Sequence, residues 1–183
     1  MIRKFKEEDT TKVMTIWTKG NFFAHPFIER DYWIANYNRV KDEYLKQSET
    51  YVYTENEEIK GFISIIEDTY IGALFIKQDS IRQGIGKRLL NYCKERKNKL
   101  TLHVYEKNVD ATLFYTAMGF KNKRVQIDEN TRWKRICNGM GAFIIGSAHY
   151  LWSYEDIVTI HTLIILLFHT LCVAIHKLKN TSL

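Results

Sequence analysis

The segment 76–90, IKQDSIRQGIGKRLL, constrains this chain more than any other. It reads as the end of a strand, a loop with glycines at 84 and 86, and then a helix. A strand-to-helix turn of this kind points several main-chain N–H groups and the positive end of a helix dipole at one place, an arrangement that suits phosphate. Glycine at both positions lets the backbone approach an anion with no Cβ in the way. Lys87 and Arg88 open the helix, where cations are unfavourable unless an anion is expected. Over residues 82–99 the basic side chains outnumber the acidic seven to one. A plain loop with a solvated helix face fits the same residues. Two common phosphate loops are excluded. Gly86-Lys87 is followed by Arg88 and no glycine stands at 81, so GxxxxGK[ST] fails; Leu89 occupies the third glycine of GxGxxG.

Around that segment the chain alternates strand and helix patterns. Val13, Ile16 and Trp17 recur at helical spacing, with Gly20 read as the stop. Tyr32, Trp33, Tyr37, Val40 and Tyr44 predict a second helix. Residues 50–54 and 59–66 read as two strands of a hairpin and 70–76 as a third strand. Residues 84–96 and 109–118 follow as helices, with strands at 100–105 and 121–127. The expected class is α/β: a central twisted mixed sheet flanked by helices.

Composition divides the chain. Residues 1–129 carry 22 basic and 19 acidic side chains; residues 130–183 carry 5 and 2 and are otherwise apolar. The net charge of +6 is therefore spread without the basic stripe of a nucleic-acid binder. Cys93, Cys137 and Cys172 lie far apart with no CxxC pair, so neither a disulfide framework nor a metal site is expected. The charged N-terminus has no signal-peptide pattern, making a cytoplasmic location the expectation. Cys93 reads as a small core residue. His103, alternating with Leu102 and Val104, reads as facing out or packing locally.

The pattern [QR]xxGx[GA] of the GNAT acyl-coenzyme A transferases fits residues 81–86 at Gly84 and Gly86, with Ile81 at the Gln/Arg position. A second segment, 108–120 (NVDATLFYTAMGF), resembles the N-x-x-A-x-x-x-Y-x-x-x-G-F segment of that family at Asn108, Ala111, Tyr115, Gly119 and Phe120. With Ile16-Trp17, His25, Phe27-Ile28, Tyr32-Trp33, Glu49-Thr50 and Gly72-Ala73-Leu74-Phe75, residues 1–129 resemble the bacterial YjaB-type N-acetyltransferases. The resemblance implies the GNAT fold and transfer of an acetyl group from acetyl-coenzyme A to a primary amine by direct attack in a ternary complex. It implies that Leu74, Phe75 and Ile76 pair with the pantetheine arm. The loop Arg82, Gln83, Gly84, Ile85, Gly86 and Lys87 would hold the pyrophosphate, with Asn108 beside the cofactor. Tyr115 becomes the general acid; its alternative is a core aromatic at helical spacing with Ala111 and Gly119. His25 becomes the candidate base, beside Phe27 and Trp33 of the acceptor pocket. A satisfied structural histidine, a water chain or Glu67 are the alternatives. The acceptor is left open among small amines, a protein N-terminus or lysine, and aminoacyl-tRNA, the one route to a nucleic-acid partner. A monomer and a homodimer are equally open.

The resemblance stops near 131. Back-translating a family-like ending, Asn-Thr-Gly-Gly-Lys-Glu-Tyr-Val-Met-Glu-Trp, and inserting one base after the threonine codon yields residues 130–140 of this chain. Residues 1–131 are thus read as the acetyltransferase domain, with its last strand in doubt, and 132–183 as an atypical apolar, helical extension. Residues 157–176 contain no Lys, Arg, Asp or Glu, about the length needed to span a bilayer, although three histidines and three threonines dilute the run. An out-of-frame relic, a hydrophobic anchor and a packed extension are the three readings. The missing strand and Ile81 are the arguments for a coenzyme-binding module without turnover, and the 157–176 run for a membrane-tethered protein.

Overall fold

The computed structural model of the chain describes residues 1–141. The expectations for the 157–176 run and for Cys172 lie outside the described residues. The elements run β1 (Ile2–Lys4), α1 (Thr10–Ala24), α2 (Arg30–Arg39), a π-helical turn (Val40–Tyr44), α3 (Leu45–Gln47), β2 (Glu49–Glu55), β3 (Glu58–Ile66), β4 (Tyr70–Ile76), α4 (Ile85–Lys94), β5 (Lys99–Tyr105), α5 (Val109–Ala117), β6 (Lys121–Ile127) and β7 (Lys134–Gly141). Seven strands form one mixed sheet in the order β1-β2-β3-β4-β5-β7-β6. The β2–β3 hairpin forms as its turn residues predict, with Glu49 opposite Ile65 and Glu55 opposite Glu58.

Each face of the sheet buries its own set of apolar side chains. Ile63, Ile65, Leu100, Leu102 and Val104 pack under α4 and α5 through Leu89, Leu90, Cys93 and Tyr115. Val52, Phe62 and Tyr105 pack under α1 and α2 through Val13, Met14, Trp17 and Trp33. The strands carry the period-two alternation that serves both layers. Cys93 is a core residue as expected, and burial pushes its thiol up to about 11.

Gly20 does not stop α1; the helix runs through it to Ala24. A Cβ at 20 would lie 2.4 Å from the Phe75 ring, so the glycine serves close helix-to-strand approach rather than termination. The sheet continues past residue 131. Residues 134–141 form β7, antiparallel to both β5 and β6, with His103 opposite Cys137 and Tyr105 opposite Arg135. The closing strand is in place because Ile136 and Met140 still present apolar side chains to the α4–α5 layer, while Ile136 and Cys137 are buried. Asn138 is buried too, its amide donating to the Ile136 carbonyl at 3.2 Å.

The feature that makes a site is the junction of β4 and β5. These parallel strands share one pair, Tyr70 with Thr101, reinforced by the Thr101 N–H to Thr69 carbonyl bond at 2.9 Å. Beyond it they diverge, and a cavity of about 930 Å³ opens between them.

Candidate active site

One end of the cavity is built from the 82–87 loop. Arg82 (φ 63°) and Gly84 (φ 77°) are both left-handed, which curls the chain so that successive amides face one way. The main-chain N–H groups of residues 82–87 have no hydrogen-bond partner among the described residues. The first N–H of this turn to bond is that of Arg88, to the Gly84 carbonyl at 3.0 Å. A Cβ on Gly84 would meet nothing within 4 Å, so the space beside it is open. Such a row of free amides at the start of α4 fits a pyrophosphate. Arg82, Gly84, Ile85, Gly86 and Lys87 line the cavity, while the Gln83 amide turns back to the Asp79 carbonyl at 3.1 Å. Leu74, Phe75 and Ile76 line it along the β4 edge that has lost its β5 partner.

Asn108 caps α5: its Oδ1 accepts the Ala111 N–H at 3.1 Å. That bond turns the Asn108 Nδ2 towards His25 Nε2, 3.3 Å away, and an amide nitrogen can only donate. Nε2 must therefore be the unprotonated nitrogen. The ring proton sits on Nδ1, which donates to Asn21 Oδ1 at 3.1 Å; the Asn21 Nδ2 in turn donates to the Trp17 carbonyl at 3.0 Å. This closed chain fixes His25 as a neutral Nδ1–H tautomer with both nitrogens engaged. Burial, helped by the charge of Arg135, pulls its pKa down to about 4. The ring stacks on Trp33 and meets Phe27 and Tyr105 edge-on.

Tyr115 lines the cavity from α5, and its hydroxyl makes no hydrogen bond among the described residues. Burial, then the neighbouring Tyr70, raises its pKa above the usual phenol range, so it stays protonated. Phe27 packs behind His25, against Tyr105 and Trp133, rather than on the cavity wall. Glu67 is not brought to the site: it stands exposed in the β3–β4 turn at φ 49°.

Several wall residues were not expected. His103 faces the cavity, with its Nδ1 3.2 Å from the Tyr70 hydroxyl, and burial lowers its pKa to about 4. It therefore neither faces solvent nor packs only locally. Tyr70, Tyr105 and Arg135 line the same region. The alternation of β5 already held part of this: Leu100, Leu102 and Val104 take one face, leaving His103 and Tyr105 on the other. Arg135 lies beyond residue 131, where the family resemblance stops.

Residues 22–133 match the profile of the acetyltransferase (GNAT) domain. The peptidyl-lysine N-acetyltransferase YiaC of Escherichia coli K12 is 36% identical over 120 residues, covering 66% of this chain and 82% of the relative. The chain belongs to the GNAT acetyltransferase family. The peptidyl-lysine N-acetyltransferase YjaB of Salmonella typhimurium is 32% identical over 130 residues, 70% of this chain and 88% of that one. Among solved structures, apo YjaB from Escherichia coli superposes with a TM-score of 0.67 at 25% identity, covering 78% of this chain and 98% of that one. The coenzyme A complex of a PaiA N-acetyltransferase from Thermoplasma acidophilum shares the fold, with a TM-score of 0.64 at 19% identity over 78% of this chain and 98% of that one. As a GNAT enzyme the chain is an acyltransferase of the acetyl-coenzyme A-dependent kind.

Proposed function

We propose that this GNAT enzyme acetylates lysine side chains of proteins, the amine attacking the acetyl thioester directly in a ternary complex. One observation carries the reading: Arg82, Gly84, Ile85, Gly86 and Lys87 with their free amides, the unpaired β4 edge and Tyr115 line a single cavity that His25 and His103 also line. The relatives named above as peptidyl-lysine acetyltransferases support the acceptor class.

In this reading residues 82–87 hold the pyrophosphate of the co-substrate and residues 74–76 pair with its arm. An N–H on the open β4 edge polarises the carbonyl under attack. The departing thiolate, of pKa about 8.5 when free, takes its proton from Tyr115, whose own pKa starts near 10 and is raised further by burial. The phenol is then a donor and never a base at physiological pH. It is the weaker acid, so transfer relies on its standing beside a poorly solvated thiolate.

His25 takes a different part. A lysine ammonium, near 10.4, lies about 6 pKa units above His25, so passing its proton there costs about 9 kcal/mol. The amine therefore enters as the free base, and His25 serves as the group that orients Asn108 and joins α1 to α5. The expected rate rises with pH towards the amine pKa without a step near 6.5. The terminal strand is present, which removes one of the arguments for a coenzyme-binding module without turnover. Incubating the full-length protein with acetyl-coenzyme A and lysine peptides, and following thiol release together with peptide mass, tests the assignment. Acetyl-coenzyme A binding with no acetylated product from lysine peptides would overturn it.

A further inference from the structure

Arg135 stands across the β5–β7 ladder from Tyr105 and is held at one edge. Its Nη2 donates to the Tyr105 hydroxyl at 2.6 Å and meets Asp128 Oδ2 at 2.6 Å, with the guanidinium lying over the Tyr105 ring. Asp128 also binds the Thr131 N–H at 2.7 Å and hydroxyl at 2.8 Å, so its carboxylate is shared and pinned away from the cavity side. The other donors of Arg135, Nη1 and Nε, have no hydrogen-bond partner among the described residues. The side chain is 27% exposed and lines the cavity.

The rest of this end of the cavity is equally rich in donors. Trp33 Nε1 is buried without an acceptor, and Trp33 lines the cavity too. His25 and His103 are neutral. The charged cavity-lining residues are Arg82, Lys87, Asp110 and Arg135, with Asp110 in the first turn of α5, two residues after Asn108. Asp128 is tied to Arg135 and Thr131 and does not line the cavity, whereas a carboxylate entering the cavity meets the two Arg135 donors that are still open. We propose that Arg135 is a specificity residue that binds a carboxylate on the acceptor, so that the preferred acceptor is a lysine with an aspartate or glutamate beside it. This deepens the lysine acetyltransferase reading and rests on it.

The test uses the full-length protein, saturating acetyl-coenzyme A, and three peptides with lysine flanked by glycine, by aspartate and glutamate, or by further lysine. The acidic peptide is expected to have a kcat/KM about 10-fold or more above the glycine peptide, with the basic one poorest. Arg135→Gln removes that ranking and Arg135→Glu inverts it, with melting temperature and acetyl-coenzyme A affinity as folding controls. A purely structural arginine would lower all three peptides alike, and a wild-type enzyme indifferent to the flanks would overturn the proposal. Binding of the same peptides carrying acetyl-lysine, measured with coenzyme A present, separates the two claims. An Arg135-dependent preference in binding with no turnover of any peptide sinks the reaction and keeps the subsite. Turnover blind to flanking charge sinks the subsite and keeps the reaction. If free L-lysine outruns 1,5-diaminopentane through Arg135 while the peptides stay unranked, the carboxylate is recognised but the peptide acceptor is wrong.

Discussion

Replacing Asn108 by aspartate tests the hydrogen-bond chain that fixes His25. Aspartate keeps an oxygen for the Ala111 N–H and remains a good helix cap, so α5 should hold. Its second oxygen, however, cannot donate to His25 Nε2 and instead places a negative charge about 3.3 Å away. With an effective dielectric of about 20, that attraction is about 5 kcal/mol, or between 3 and 4 pKa units. Starting from about 4, the histidine should rise above 6.5 and be protonated over much of the neutral range. Titrating the imidazole C–H signals by NMR reads this directly, and the long-range proton–nitrogen pattern reports which ring nitrogen carries the proton. Wild-type His25 should show the Nδ1–H form with no midpoint above about 5; the variant should titrate near or above 6.5. A wild-type midpoint near 6.5, an Nε2–H tautomer, or a variant rise smaller than about 1.5 units would each refute the chain as drawn.

Other parts of the structure make their own predictions. His25 and His103 both sit near 4 when folded against about 6.5 unfolded, so the unfolded chain binds more protons below 6.5. Stability should then fall as pH drops from 6.5 towards 4, by up to about 3 kcal/mol per histidine; urea midpoints that hold steady between pH 7 and 5 would contradict this. Gly84→Ala forces a Cβ into φ 77°, at a cost of about 1 kcal/mol in stability. It should weaken acetyl-coenzyme A binding by more than that strain accounts for, because the methyl projects into the open space beside the loop; calorimetry showing unchanged affinity would argue against an anion there. Ending the chain at 131 removes β7, exposes the Val104 and Leu102 side of the core and leaves β6 without its sheet partner. Losing buried Ile136 and Cys137 alone costs on the order of 3 kcal/mol, so the shortened chain should melt well below the full one by circular dichroism, and an equal melting temperature would show that β7 contributes little.

How much of this was legible depended on whether a residue works locally or through the sheet. Gly84 and Gly86 sit in one turn, so their spacing alone suggests an anion-binding loop, whereas Asn108 and Tyr115 are singled out by the resemblance of residues 108–120 to the GNAT segment. The β2–β3 hairpin and the helices after β4 and β5 were readable from local spacing too. His103, Tyr70 and Arg135 meet only because β5 pairs with β7 and parts from β4, a register that no local pattern encodes. Gly20 misled because a glycine at a helix end and a glycine under a crossing phenylalanine look alike in sequence. The β7 strand was doubted because its residues depart from the family-like ending, yet Ile136 and Met140 keep apolar side chains where the sheet needs them.

In the proposed reaction one cavity carries out acetyl transfer with Tyr115 as the proton donor. Tyr115→Phe keeps the ring that packs against Phe114 and Phe120 and removes the hydroxyl alone. Steady-state turnover with lysine peptides, measured beside the acetyl-coenzyme A dissociation constant, separates chemistry from binding. The expected result is a fall in kcat of about 10²-fold or more with the dissociation constant unchanged. Full turnover in the phenylalanine variant would contradict it.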